Sequence, residues 1–85
     1  MTRPGAPALP DGLVVFVKRE CETCRMVAPL LPELATAAAA AAHTTLTVIT
    51  QDDPGFPAEP QARHDHDLAL SWHHDIETVP TLMVV

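Results

Sequence analysis

The only two cysteines of the chain stand two residues apart, in Glu20-Cys21-Glu22-Thr23-Cys24-Arg25, between stretches of opposite character. Before them, Leu13-Val14-Val15-Phe16-Val17-Lys18 is a continuous run of β-branched and aromatic residues. Such a run reads as a strand buried on both faces, as in a parallel sheet. After them, Arg25-Met26-Val27-Ala28-Pro29-Leu30-Leu31 reads as a helix. A C-x-x-C at a strand-to-helix junction therefore points to α/β architecture and to thiol chemistry. Unpaired N–H groups and a partial positive charge at a helix start favour a thiolate over a thiol, and the thiolate is the reactive form.

An 85-residue chain holds one domain with a small core. A formal charge of −6, with no run of basic residues, argues against a nucleic-acid partner. No apolar stretch is long enough to span a membrane. The opening Met1-Thr2-Arg3-Pro4-Gly5-Ala6-Pro7 lacks the apolar centre of a secretory signal, so a cytoplasmic, reducing setting is expected. In that setting a lone C-x-x-C is catalytic or metal-binding more often than structural.

Residues 1–12, rich in proline and small residues, read as a flexible leader to a domain over 13–85. A helix is expected from Cys21 or Glu22 to about His43, with a kink or break at 28–32 because Pro29 and Pro32 remove helical donors. A second segment starting with Pro32 in its first turn is the alternative. The alanines at 35 and 37–42 suit a thin helix packed close to a sheet. Residues 44–50 form the second strand, and 51–66, with three prolines and a glycine, read as a long loop. Asp52-Asp53 before Pro54-Gly55 is a turn signal. Asp65 or Asp67 caps a short helix over 68–74, and 81–85 form a third strand. Four successive apolar residues, Leu82 to Val85, predict burial on both faces there. The order is strand, helix, strand, helix, strand, with right-handed crossovers for the parallel part.

Cys21-Glu22-Thr23-Cys24-Arg25-Met26-Val27-Ala28-Pro29 resembles the active-site helix of the thioredoxin family, which carries a proline five residues after the second cysteine. Val79-Pro80-Thr81 ahead of apolar residues resembles that family's cis-proline loop. The resemblance spans about 13–85 and implies a thioredoxin-like fold. It implies that Cys21 is the exposed attacking thiol and Cys24 the buried resolving thiol. It also implies that Pro80 is cis and that Val79 offers backbone groups to a substrate chain. Lys18 and Thr78-Val79-Pro80 also resemble glutaredoxin, in which the matching residues hold glutathione.

Three departures stand out. Glu20 and Glu22-Thr23 replace the family's usual neighbours of the first cysteine. Carboxylates there raise the Cys21 pKa, whereas Lys18, Arg19 and Arg25 lower it, so the sign of the net shift is open. Val15 stands where thioredoxins bury an acid. The family's last strand and helix have no counterpart, so the strand at 81–85 is expected at or near a sheet edge, favouring self-association.

The expected function is thiol–disulfide exchange by Cys21 and Cys24 on a protein disulfide. No bound cofactor is expected, and electrons return from an external reductase or a small thiol. The alternatives are glutathione-dependent exchange, a domain with an idle site, and a zinc module joining the cysteines to two of His43, His64, His66, His73 and His74. Solvated surface is the default place for those histidines.

Overall fold

The run at 13–18 does form the central strand, β1 (Leu13–Val17), and its four residues from Val14 to Val17 are buried. The computed structural model describes residues 8–85. After β1 come α1 (Glu22–Val27), a 3-10 turn (Ala28–Leu30) and α2 (Leu31–Ala42). Then follow β2 (Leu46–Thr50), β3 (Arg63–His64), a second 3-10 turn (His66–Leu68), α3 (Ala69–His73) and β4 (Thr81–Val84). The described residues form one four-stranded sheet in the order β3-β2-β1-β4. β1 pairs in parallel with β2 and antiparallel with β4, and β2 pairs in parallel with β3. The domain is thus mixed α/β.

Alternation along β1 divides the core between the two sheet faces. Val15 and Val17 point with Val48 towards the helices, where Cys24 and Leu31 complete one cluster. Val14 and Phe16 point with Ile49 to the opposite face, where Leu70, Ile76 and Met83 pack against them. Burial on both faces explains why this strand lacks polar residues.

The two prolines break the long helix where their missing donors predict. Pro29 lies in the 3-10 turn and Pro32 in the first turn of α2, so the break yields two helices. His43 ends α2 in the left-handed conformation, φ 50°. Between residues 51 and 66 the expected loop contains β3, whose two exposed residues carry no apolar signal. The peptide bonds Phe56–Pro57 and Glu59–Pro60 in this stretch are cis. Of the two capping candidates, Asp65 serves. Its buried carboxylate accepts from the N–H groups of Leu70 (2.7 Å) and Ser71 (2.9 Å) and from the Ser71 hydroxyl (2.6 Å). Asp67 is exposed and itself sits at φ 56°.

β4 departs from expectation. It is an edge strand, as expected, but only one of its faces packs. Met83 joins the Phe16 cluster, whereas Leu82 is 54% and Val84 80% exposed. Beside Leu82 an open apolar groove of about 360 Å³ runs between α1–α2 and the edge, lined by Val15, Val27, Leu30, Leu31, Leu34 and Pro80.

The leader expected at 1–12 lies, for residues 1–7, outside the described residues. Of the remainder, Leu9 packs against the Phe16 cluster and Gly12 exchanges backbone hydrogen bonds with Val85 (3.0 and 2.8 Å). Gly12 has φ 107°, and a Cβ there would stand 2.6 Å from Thr44 Oγ1 and 2.7 Å from the Thr45 carbonyl oxygen.

Candidate redox site

The parallel register Val17↔Thr50 brings the chain out of β1 and β2 side by side, and Gln51 N–H still bonds the Val17 carbonyl (2.8 Å). From there Lys18-Arg19-Glu20-Cys21 makes a tight turn closed by Cys21 N–H to the Lys18 carbonyl (3.2 Å). The turn delivers Cys21 to the N-cap of α1 in an extended conformation (φ −94°, ψ 119°). A sulfur replaces the usual capping oxygen: Sγ of Cys21 accepts from the Cys24 N–H at 3.3 Å. The Cys21 carbonyl accepts from the Arg25 N–H at 3.0 Å.

One turn of helix puts the second cysteine inward. Cys24 is fully buried in the helix-side cluster, whereas Cys21 is half-buried, and both are free thiols. Their environments separate their acidities. The Cys21 pKa lies below the ordinary thiol value, chiefly through hydrogen bonds from the Cys24 side chain and the Cys24 N–H. The Thr23 N–H and the Lys18 charge add to this, against desolvation. The Cys24 pKa is pushed up to about 11 by burial first, then by its hydrogen bond to Cys21 and by the charge of that thiolate. The sign left open by the flanking charges is therefore settled mainly by hydrogen bonds within the first turn.

The second half of the site comes from the chain entering β4. The Val79–Pro80 bond is cis, and the Val79 carbonyl oxygen lies 3.6 Å from Cys21 Sγ, across 58 residues of sequence. Pro80 lines the apolar groove beside it. Cys21, Cys24, Lys18, Val79 and Pro80 thus gather at one end of β1 and β4. Val15 packs in the core at 4% exposure.

The histidines do not join this group. His64 and His66 lie edge to face at 6.0 Å in the β3 region, both exposed, and His73 meets the exposed Trp72 ring at 4.9 Å. Among the described residues no group of three or more His, Cys, Asp or Glu side chains is placed to hold a metal ion. Nor is any helix among them long and apolar enough to cross a membrane.

The sequence marks Asp52 only as part of a turn. The turn itself belongs to Asp53, which accepts from the Gly55 N–H through its side chain (2.8 Å) and from the Phe56 N–H through its carbonyl (2.9 Å). Asp52 instead crosses to the segment before Cys21 and accepts from the N–H groups of Arg19 (2.7 Å) and Glu20 (3.0 Å). The signal for it was the register of β1 against β2, which a single strand pattern does not contain.

No protein-family model, curated protein or solved structure matches the chain.

Proposed function

We propose that the chain is a thiol–disulfide oxidoreductase of thioredoxin-like fold. The observation that carries this reading is the inequality of the two thiols: an acidic, accessible Cys21 capping a helix, and a buried Cys24 one turn on. The parallel β1–α–β2 unit, the antiparallel β4 and the cis bond before it support the fold.

In the forward direction the Cys21 thiolate attacks one sulfur of a substrate disulfide. A Cys21–substrate bond forms, the substrate S–S bond breaks, and the other substrate sulfur leaves as a thiolate. The charge and hydrogen bond of the Cys21 thiolate then vanish, and both had raised the Cys24 pKa. Cys24 therefore ionises more readily in the mixed disulfide than in the free pair. Its thiolate attacks Cys21 Sγ, closing the Cys21–Cys24 disulfide and releasing the second substrate sulfur. Two electrons pass to the substrate, and an external reductase or small thiol restores them. The Val79 carbonyl is available to an extended substrate chain beside the attacking sulfur.

Replacing Cys21 by Ser should abolish reduction of a protein disulfide, and Cys24→Ser should trap the mixed disulfide. Alkylation of the reduced chain should label Cys21 first as pH rises, because its thiolate predominates above its lowered pKa. Cys24 should be labelled only after Cys21, because burial and the Cys21 thiolate hold its own pKa up. Activity in Cys21→Ser, or first labelling at Cys24, would overturn the assignment. Glutathione-dependent exchange is the second reading, favoured by the Lys18 charge acting on both thiols. Turnover with glutathione that falls on Lys18→Ala by clearly more than turnover with dithiothreitol would select it.

A further inference from the structure

The Cys21 turn, closed by its own bond from Cys21 N–H to the Lys18 carbonyl, is also held from outside. Its two central N–H groups, those of Arg19 and Glu20, both end on one carboxylate, Asp52 Oδ1 and Oδ2, at 2.7 and 3.0 Å. Its Arg19 carbonyl accepts from Arg25 Nη1 at 2.6 Å. Asp52 is in turn fixed by Asp53 N–H at 2.7 Å and by the Thr50 hydroxyl at 3.4 Å, both on Oδ1. Hydrogen bonds to an ionised acceptor are the strong kind. Burial works to raise the Asp52 pKa, but the bonds from Arg19, Asp53, Glu20 and Thr50 outweigh it and the net shift is downward. The carboxylate is therefore charged throughout the range in which thiols react.

We infer that Asp52 is a positioning residue for the attacking thiol, holding the Lys18–Cys21 turn so that Cys21 Sγ stays on its hydrogen-bond donors. The sulfur sits 3.3 Å from the Cys24 N–H, and such contacts weaken steeply with misalignment. The charged and titratable groups around the Cys21 turn are Lys18 and Arg19 on it, Glu20 and Glu22 flanking Cys21, Cys24 and Arg25 on α1, and Asp52 and Asp53 after β2, with the Val79 carbonyl from the loop before β4. Asp52 acts on the sulfur through the backbone it grips, not by touching it. The inference rests on Cys21 being the reactive thiol of the proposed function, and it assigns a part of the β2 end to that function.

The test is the pH profile of iodoacetamide alkylation of the reduced chain, with the modified residue mapped to Cys21 by mass. Asp52→Ala should move the Cys21 half-reaction point upward, slowing alkylation below it roughly threefold, the equivalent of about half a pKa unit. Asp52→Asn keeps the shape and one acceptor oxygen and should move it less, in the same direction. Val14→Ala, which weakens the core on the far sheet face, should lose stability without moving the profile. Should Asp52→Ala fail to fold, Asp52→Asn alone decides. An unmoved profile in the folded Asp52 variants, or an equal shift in Val14→Ala, overturns the inference. Retained disulfide reduction in Cys21→Ser would sink the redox reading, while the alkylation profiles would still decide the role of Asp52.

Discussion

β1 and β4 are neighbours in the sheet, paired residue for residue from Leu13↔Val84 to Phe16↔Thr81, and both are apolar runs in the sequence. Their fates differ. In β1, Val14, Phe16 and Val17 are fully buried, because β2 and β4 flank the strand and side chains from the helices cover both its faces. In β4, Met83 packs inward while Leu82 stands largely open beside the groove and Val84 is exposed. An apolar run states a demand for burial, and position in the sheet decides whether the demand is met. α1 and α2 cover the β1–β2 half of their face and leave the β4 margin bare.

Substitutions can break this contrast. The largest effect belongs to the centre: Phe16→Ala should cost about 3–5 kcal/mol of unfolding free energy, read from urea midpoints, as for other buried aromatics. That is a large share of the roughly 5–15 kcal/mol typical of a domain. A loss under about 1 kcal/mol would mean that β1 is not the pillar described. Leu82→Ala should cost at most about 1 kcal/mol, since half of that side chain already meets water. A larger loss would show that the groove is covered in solution. Val84→Lys should change the stability of the monomer by less than about 0.5 kcal/mol, the smallest effect of the three. The same substitution sharpens the contrast by a second readout. The parent chain is expected to associate through β4 as concentration rises, and a lysine on the edge should suppress this in sedimentation. The added positive charge lowers the repulsion between acidic copies, so loss of association would trace to the strand edge. A parent chain that sediments as a monomer at all concentrations would remove the expectation.

Much of the site could be read before the fold was seen, because its signals are local. The strand before Cys21, the helix after it and the proline break each sit within a few residues of their cause, whereas the cis bond at Pro80 was expected only from the resemblance of Val79-Pro80-Thr81 to a known loop. What could not be read depends on partners distant in sequence. The grip of Asp52 on Arg19 and Glu20 needs the β1–β2 register. β3 exists because Ile49 and Thr50 offer an edge to Arg63 and His64, not because those two residues favour a strand. The acidity of Cys21 turned on hydrogen bonds from the Cys24 side chain and from N–H groups within one helical turn, which no count of flanking charges supplies. Burial of β4 was overestimated for the same reason: hydrophobic pattern is local, and cover is not.

Gly12 bears on how this chain can vary. At that one α-carbon the entry to β1, the end of β4 and the Thr44–Thr45 segment converge, with no room for a methyl group and a backbone angle that side-chain-bearing residues resist. A missense change there would disturb β1 and β4 together, although residue 12 carries no chemistry. Diversity among related sequences should accordingly be generous along the exposed alanines of α2 and nearly nil at this position.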